Sequence, residues 1–256
     1  MSRENTKNIA FMRLISLISI DSTNTYAQRL IKDGLSENSL IYCEEQTKGR
    51  GQRGNSWLSR PGEGIYCSYV FFQRNVFVSS QFVFNMSMAV AVADFIASKI
   101  EKEVKIKWPN DILVDHKKIA GLLIENSIKG GQIGVSILGI GLNLNQEWVN
   151  QVFDTPGTSL KMETGQYTNY EEAVFELAKF VKLAKDEFDK GDYQSIITKY
   201  HTYLYKHQET TNFLIDEKMV EGKLHGVNED GSVSILIDNQ KNNFYHPQAR
   251  IMVNRS

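Results

Sequence analysis

The sequence predicts an α+β fold: mixed or antiparallel sheet with helices over residues 1–208, then a small strand-only domain over 209–256. Three observations predict it. Runs rich in aromatic and β-branched residues, such as "SLIYCEE", "GIYCSYVFF" and "QIGVSILGIGLNLN", alternate with Gly, Pro and Asn punctuation. Two longer segments, about 80–100 and 170–205, carry helical patterns instead. From about residue 209 the chain changes to short strands joined by tight turns.

Taken in order, "MSRENTKNIAFMRLISLISI" reads as a strand. Glu4 precedes its apolar run, Arg13 interrupts it and no small-residue cleavage site follows, so it is not a signal peptide. In "DSTNTYAQRLIKDG", Asp21, Ser22 and Thr23 are helix-capping types, Ala27, Leu30 and Ile31 share one face, and Gly34 supplies a stop. Next come two strands flanking a glycine-rich loop. The apolar stretch from Phe82 to Ile100 carries Asn85 and Asp94 and falls short of the ~20 clean apolar residues of a membrane helix. It predicts a buried core helix.

The segments "VKIKW", "ILVDHKKIAGLLIENSI" and "QIGVSILGIGLNLN" are strand-rich and broken by turn residues. Residues 170–205 place Ala173, Leu177, Phe180, Val181 and Ala184 on one helical face. The last 48 or so residues make five strands, with Glu229-Asp230-Gly231 as one turn, in a domain too small for a robust core of its own.

A formal net charge of -1 gives no basic footprint for DNA or an anionic membrane across the whole surface. Two cysteines, Cys43 and Cys67, in apolar strand-like runs support neither a disulfide framework nor a zinc site. A reducing cytoplasm fits them best.

The loop "EEQTKGRGQRGNSWLS" carries Gly49, Gly51 and Gly54 in the G-x-G-x-x-G spacing of a dinucleotide fingerprint. That motif works only where the glycines open a helix. Here Trp57, Pro61, Gly62 and Gly64 follow in quick succession and argue against one. A P-loop fails likewise, and Asn55 stands where its lysine belongs. What remains is a strand-to-strand loop with Lys48, Arg50 and Arg53 between glycines and Trp57 at its end. Close-approaching amides, planar guanidinium forks and an indole face suit a nucleotide. A solvated hairpin loop with incidental charge explains this stretch alone equally well.

The companion segments have bland readings too. "VKIKWPNDIL" is either a half-exposed strand or one that presents Lys107 to a polar pocket; "KKIAGLLIE" is a charged turn and core strand in which Gly121 permits close backbone approach. "GIGLNLN" sets Gly139, Gly141, Asn143 and Asn145 at a strand end, where small residues suit a narrow ligand slot. "DSTN" is most simply a helix cap.

Together, however, "STN", "GRGQRGNSW", "KWPND", "KIAGLLIE" and "GIGLNLN" in this order resemble the catalytic domain of biotin protein ligases, from about Ser22 to Asn145, and the C-terminal strands with "VEGKLHGVNEDGSVSI" fit the same family. The resemblance implies a catalytic domain like that of class II aminoacyl-tRNA synthetases and an SH3-like β-barrel after it. Some family members carry an N-terminal DNA-binding module; only 21 residues precede "STN" here, so a monofunctional ligase that does not bind DNA is expected. The resemblance also allows a homodimer through paired sheet edges.

The activity implied is activation of biotin by ATP and Mg²⁺ to biotinyl-5'-adenylate, then transfer to one lysine of a biotin carboxyl carrier domain of a biotin-dependent carboxylase. By the same resemblance Ser22, Thr23 and Gln46, with Asn24 beside them, bind biotin's polar head; Gly49, Arg50 and Gly51 fold over its carboxylate and the phosphate; and Trp57 packs on adenine. Lys107 neutralises charge at the reacting carboxylate, with Arg50 as the second catalytic residue; Lys118 contacts phosphate. Gln52, Arg53, Gly121, Gly139 and Asn143 complete the adenylate surroundings. One departure stands out: many members have arginine at the position of Gln52, where it helps retain the adenylate. A lipoate-type ligase and a non-catalytic biotin-binding module are the alternatives.

Overall fold

The computed structural model describes residues 5–9, 12–147 and 156–253. Its first half runs β1 (Asn5–Ile9), β2 (Met12–Ile20), α1 (Thr23–Lys32), β3 (Ser39–Gln46), β4 (Gly64–Phe77), α2 (Gln81–Ala97), β5 (Val104–Lys107), β6 (Asp111–Val114), β7 (Lys117–Lys129) and β8 (Gln132–Asn143). Then come α3 (Leu160–Thr164), α4 (Tyr170–Asp189), α5 (Tyr193–Tyr203), β9 (Thr210–Ile215), β10 (Lys218–Val227), β11 (Val233–Ile237), β12 (Gln240–Phe244) and β13 (Ala249–Ile251). Of the N-terminal segment expected to be strand, residues 1–4, 10 and 11 lie outside the described residues.

The chain forms two compact units. One holds the described residues up to Val78, those of Ile119–Val149, and Thr158–Glu176; the other holds Ser79–Lys118, the described residues of Asn150–Gly157, and Leu177 onward.

In the first unit the strand order is β1-β2-β3-β4-β8-β7. Only β2 and β3 pair in parallel; the other neighbours are antiparallel. Parallel neighbours cannot be joined by a tight turn, so the chain crosses over through α1. The sheet is therefore mixed, as the punctuation of the sequence suggests. Residues 39–43 of β3 are all buried, because both faces of the strand are covered. Ala27 of α1 packs in a core cluster with Ile15, Leu17, Ile41, Cys43, Tyr66, Val70 and Ile137. On α4, Phe175 meets the Tyr42 ring edge-on, and the Tyr170 hydroxyl donates to the Cys43 carbonyl at 2.6 Å.

In the second unit α2 is buried nearly all round, with twelve buried residues from Val83 to Ile96. Phe84 and Phe95 meet Phe188 and Phe180 of α4 edge-on, at 5.2 and 5.8 Å between ring centres. Burying side chains of this size stabilises by about 1.5–3 kcal/mol each, which explains an apolar helix that lacks a polar face. Together with the turn before it, Val78–Ala97 is long and apolar enough to cross a membrane by length and composition; 67% of that window is buried inside the protein.

The helical stretch expected over 170–205 is two helices. Gly191 (φ +80) breaks it, and the Asp192 carboxylate caps α5 by accepting the Ser195 N–H at 3.2 Å. The C-terminal strands form one antiparallel sheet, β12-β11-β10-β9-β13. The expected turn at Glu229-Asp230-Gly231 is present: Asp230 accepts both the N–H and the hydroxyl of Ser232. The Gly231 carbonyl accepts the Trp108 indole N–H at 3.0 Å, and a Cβ at Gly231 would overlap the Phe82 ring. The sheet is thus fastened to the turn after β5 and to the start of α2.

Candidate functional site

The glycine loop joins β3 to β4, antiparallel neighbours in which Cys43 stands opposite Tyr66. Its start is tied to the end of β2, where Thr47 and Lys48 donate their N–H groups to the carbonyls of Ile20 and Asp21, both at 2.8 Å. Beyond Gly49 the loop folds back on itself. Trp57 N–H donates to Gly49 O at 2.9 Å and Gly51 N–H to Asn55 O at 2.7 Å. The return is a single 3-10 turn, Gln52–Gly54, where Arg53 (φ +57) and Gly54 (φ +78) take the left-handed conformation. No α-helix follows the glycines, so neither the dinucleotide nor the P-loop arrangement exists here. Gly49 is required for the crossing, since a Cβ there would overlap the Trp57 carbonyl and sit 3.2 Å from Gln46 Nε2.

Beneath the loop lies the start of α1. Ser22, Thr23 and Asn24 are 2%, 3% and 3% exposed, unusual for three consecutive polar residues and a sign that their groups face one another. Ser22 holds the N-cap position but makes no capping bond through its side chain, contrary to the simple reading of "DSTN". Asp21 instead accepts Ser22's N–H and two donors of Arg29, at 2.7 and 2.8 Å. That guanidinium holds its carboxyl down at about 2. The Gln46 side-chain oxygen accepts the Thr23 N–H at 2.9 Å, while Gln46's own N–H donates to Ser59 Oγ.

Sequence reasoning passed over two members of this group, Ser68 on β4 and Glu125 on β7. Ser68 Oγ lies 2.7 Å from Thr23 Oγ1 and 2.6 Å from Asn24 Oδ1. Asn24 Nδ2 in turn donates to Glu125 Oε2 at 2.8 Å and approaches the Leu123 carbonyl at 3.3 Å. Glu125 also receives Arg50 from the loop, Nη2 to Oε1 at 2.8 Å and Nη1 to Oε2 at 3.3 Å. Neither residue has a local motif; a serine in an aromatic strand and a glutamate after "GLLI" signal nothing until the register of β4, β8 and β7 is known.

Gly139 and Gly141 are where β8 passes under these groups. A Cβ on Gly139 would overlap the Asn24 carboxamide, and one on Gly141 would overlap the Trp57 indole. The room expected at "GIGLNLN" for a ligand slot therefore seats two of the protein's own side chains. Gly121 stands opposite Gly141 in the β7–β8 pair, so two glycines face each other there. Asn143, 8% exposed, donates to the Thr158 carbonyl at 2.9 Å and accepts from Gln146 at 3.2 Å. Gln52 is half-buried at the start of the 3-10 turn, and Arg53 is exposed.

Lys107 and Lys118 belong to the second unit. Asp111 stands opposite Lys107 across the β5–β6 hairpin and pairs with Lys118 Nζ at 2.6 Å. Two lysines and one carboxylate thus gather around "WPND".

The first unit accordingly presents buried hydroxyls and carboxamides, a fixed guanidinium and an indole within one end of the sheet. Such a set recognises a compact polar head beside an anion. It offers no activated thiol: burial pushes Cys43 up to about 12 and Cys67 higher still.

The model of the biotin/lipoate A/B protein ligase family matches residues 16–143, half of the chain. The chain is 34% identical over 128 residues to the bifunctional ligase/repressor BirA of Bacillus spizizenii, covering 50% of this chain and 39% of that protein. It is 33% identical over 159 residues to the biotin–acetyl-CoA-carboxylase ligase of Paracoccus denitrificans, 61% of this chain and 66% of that protein. In three dimensions it is similar to the biotin protein ligase from Aquifex aeolicus in complex with biotin and ATP, with a TM-score of 0.78 and 25% identity over 94% of this chain and 99% of that one. The match to the first of these relatives spans less than half of that protein's length.

Proposed function

The chain belongs to the biotin/lipoate A/B protein ligase family, and from that premise we propose that it joins biotin to ATP as biotinyl-5'-adenylate and passes the biotinyl group to a lysine of a biotin carboxyl carrier domain. The observation that carries this reading is the continuous polar group of Thr23, Gln46, Ser68 and Asn24 beneath an arginine-bearing loop. A ureido head has donors and acceptors on one rim, and burying it requires partners for all of them. Ser22, Thr23 and Gln46 are those partners in this reading.

Gly49, Arg50 and Gly51 fold over the carboxylate and α-phosphate in this reading, with the Arg50 guanidinium as donor, and Arg53 and Gln52 add donors at the turn. Lys107 and Lys118 are assigned through "KWPND" and "KIAGLLIE" to charge neutralisation during attack of the biotin carboxylate on the α-phosphorus. That attack forms the acyl phosphate bond and expels pyrophosphate. The acceptor lysine's amine then attacks the acyl carbon and AMP leaves, so positioning supplies most of the second step. Mg²⁺ enters on the triphosphate as part of the substrate; among the described residues no group of three His, Cys, Asp or Glu could hold it.

In the same reading residues 1–208 form the ligase domain and 209–256 a small accessory domain. The two free cysteines suit a reducing compartment, and we place the reaction in the cytoplasm. Two copies pairing by sheet edges belong to it as well, read out by molar mass in solution.

The test is incubation with ATP, Mg²⁺, labelled biotin and a carrier domain. Label on a carrier lysine supports the ligase. Label from lipoate and none from biotin supports a lipoate-type enzyme, and tight biotin binding without transfer supports a binding module.

A further inference from the structure

The Glu125 side chain touches both the buried polar group and the glycine loop. Ser68 has a single proton; its Oγ donates to Asn24 Oδ1 at 2.6 Å and lies 2.7 Å from Thr23 Oγ1. Asn24 must then present its NH₂ to Glu125, at 2.8 Å, where a carboxylate can only accept. This fixes the orientation of a carboxamide that would otherwise be free to flip, and the chain of donors ends on a charge, which strengthens each link. On its solvent side the same carboxylate takes Arg50 as a fork, Nη2 to Oε1 and Nη1 to Oε2. A forked pair holds the guanidinium plane in one orientation. Nη1 also reaches Thr25 Oγ1 at 3.5 Å, which leaves the second N–H of Nη2 and the Nε–H for an anion.

We propose that Glu125 is a positioning residue with two separable arms: through Asn24 it sets the floor on which the biotin head rests, and through Arg50 it holds the glycine loop over the acyl-adenylate. The proposal rests on the ligase reading for the ligands named. Its mechanical part, that Glu125 anchors the loop, stands without it.

The two arms predict different behaviour for two substitutions. Glu125→Gln keeps a neutral acceptor for Asn24 and loses the charge and second acceptor that hold Arg50. Glu125→Ala removes both arms. In biotin-dependent pyrophosphate exchange, Glu125→Gln is expected to leave the biotin KM within about twofold, and Glu125→Ala to raise it about tenfold. Both are expected to release the adenylate about tenfold faster. Arg50→Ala combined with Glu125→Gln releases it no faster than Arg50→Ala alone, since the two act through one contact. A Glu125→Gln KM as high as that of Glu125→Ala, additive release rates, or wild-type values throughout would overturn the proposal.

Trypsin gives a readout that needs no activity. The loop's Lys48, Arg50 and Arg53 are its sites, and Glu125→Gln is expected to be cut there about tenfold faster than wild type at an unchanged melting temperature. Equal cutting rates defeat the anchoring whether or not the chain is a ligase. Wild type lacking pyrophosphate exchange but showing this difference would instead defeat the ligase reading and keep the anchor.

Discussion

The indole of Trp57 lies against the backbone of Gly141, in the place where a Cβ on that residue would sit. The loop therefore closes onto the sheet only because β8 has no side chain there. Gly141→Ala forces the indole outward, and overpacking of this kind costs about 1–3 kcal/mol. The expected result is a lower melting temperature together with faster cleavage of the loop. Gly139→Ala pushes on the buried Asn24 carboxamide instead, so it lowers the melting temperature without exposing the loop to protease.

Lys107 stands opposite Asp111, which also holds Lys118. In the proposed reaction its charge matters most as the carboxylate attacks phosphorus, less when biotin merely binds. Lys107→Ala should then lower biotin-dependent pyrophosphate exchange by about 10²–10³, as loss of one preorganised donor does. Biotin affinity measured by calorimetry should change far less. Unchanged exchange would remove Lys107 from the catalytic assignment.

His201 gives a pH dependence that is independent of any ligand. Burial, then the neighbouring His207 with its ring stacked at 4.8 Å, hold His201 below the usual imidazole value of 6.5; His225 acts in the same direction. Its Nε2 lies 3.0 Å from the Val227 N–H and 3.1 Å from the Val227 carbonyl, and the contact with Val227 acts against the shift without reversing it. A depressed native value means the unfolded chain takes up the proton first. Its stability contribution is therefore complete above about pH 6.5 and lost as pH falls through the lower native value. The melting temperature should drop between about pH 7 and 5, and His207→Gln should make that drop shallower by removing the like-charged neighbour.

How much of this was legible in the sequence depends on the distance over which each feature is encoded. The loop between two strands follows from Trp57, Pro61, Gly62 and Gly64, and the buried α2 from its apolar run, because both are local. The break at Gly191 was hidden by an apolar face that continues on either side of it; only the residue's φ of +80 ends the helix. The Asn24–Glu125 contact joins residues 101 apart and depends on the β7–β8 register. Glu125 in "LLIENSI" reads as a solvated strand residue until that register brings it to Asn24 and Arg50. The glycines of "GIGLNLN" were recognisable as room, but which side chains fill that room was not.

Gln52 sets the last expectation. It is half-buried and opens the 3-10 turn, with its carbonyl accepting the Asn55 N–H at 3.1 Å, and it stands between Arg50 and Arg53 in the sequence. Arg50 is already engaged by Glu125, so the turn brings less unpaired positive charge to an adenylate than three arginines would. Replacing Gln52 by arginine keeps a long, hydrogen-bonding side chain and adds a charge, and a charge-assisted bond to phosphate is roughly twice as strong as a neutral one. Gln52→Arg should therefore slow adenylate release, by about tenfold for one such bond. The measurement is dissociation of labelled biotinyl-adenylate chased with excess unlabelled biotin. A rate equal to wild type would mean that the position does not face the phosphate, and that retention depends on Arg50, Arg53 and the closed loop.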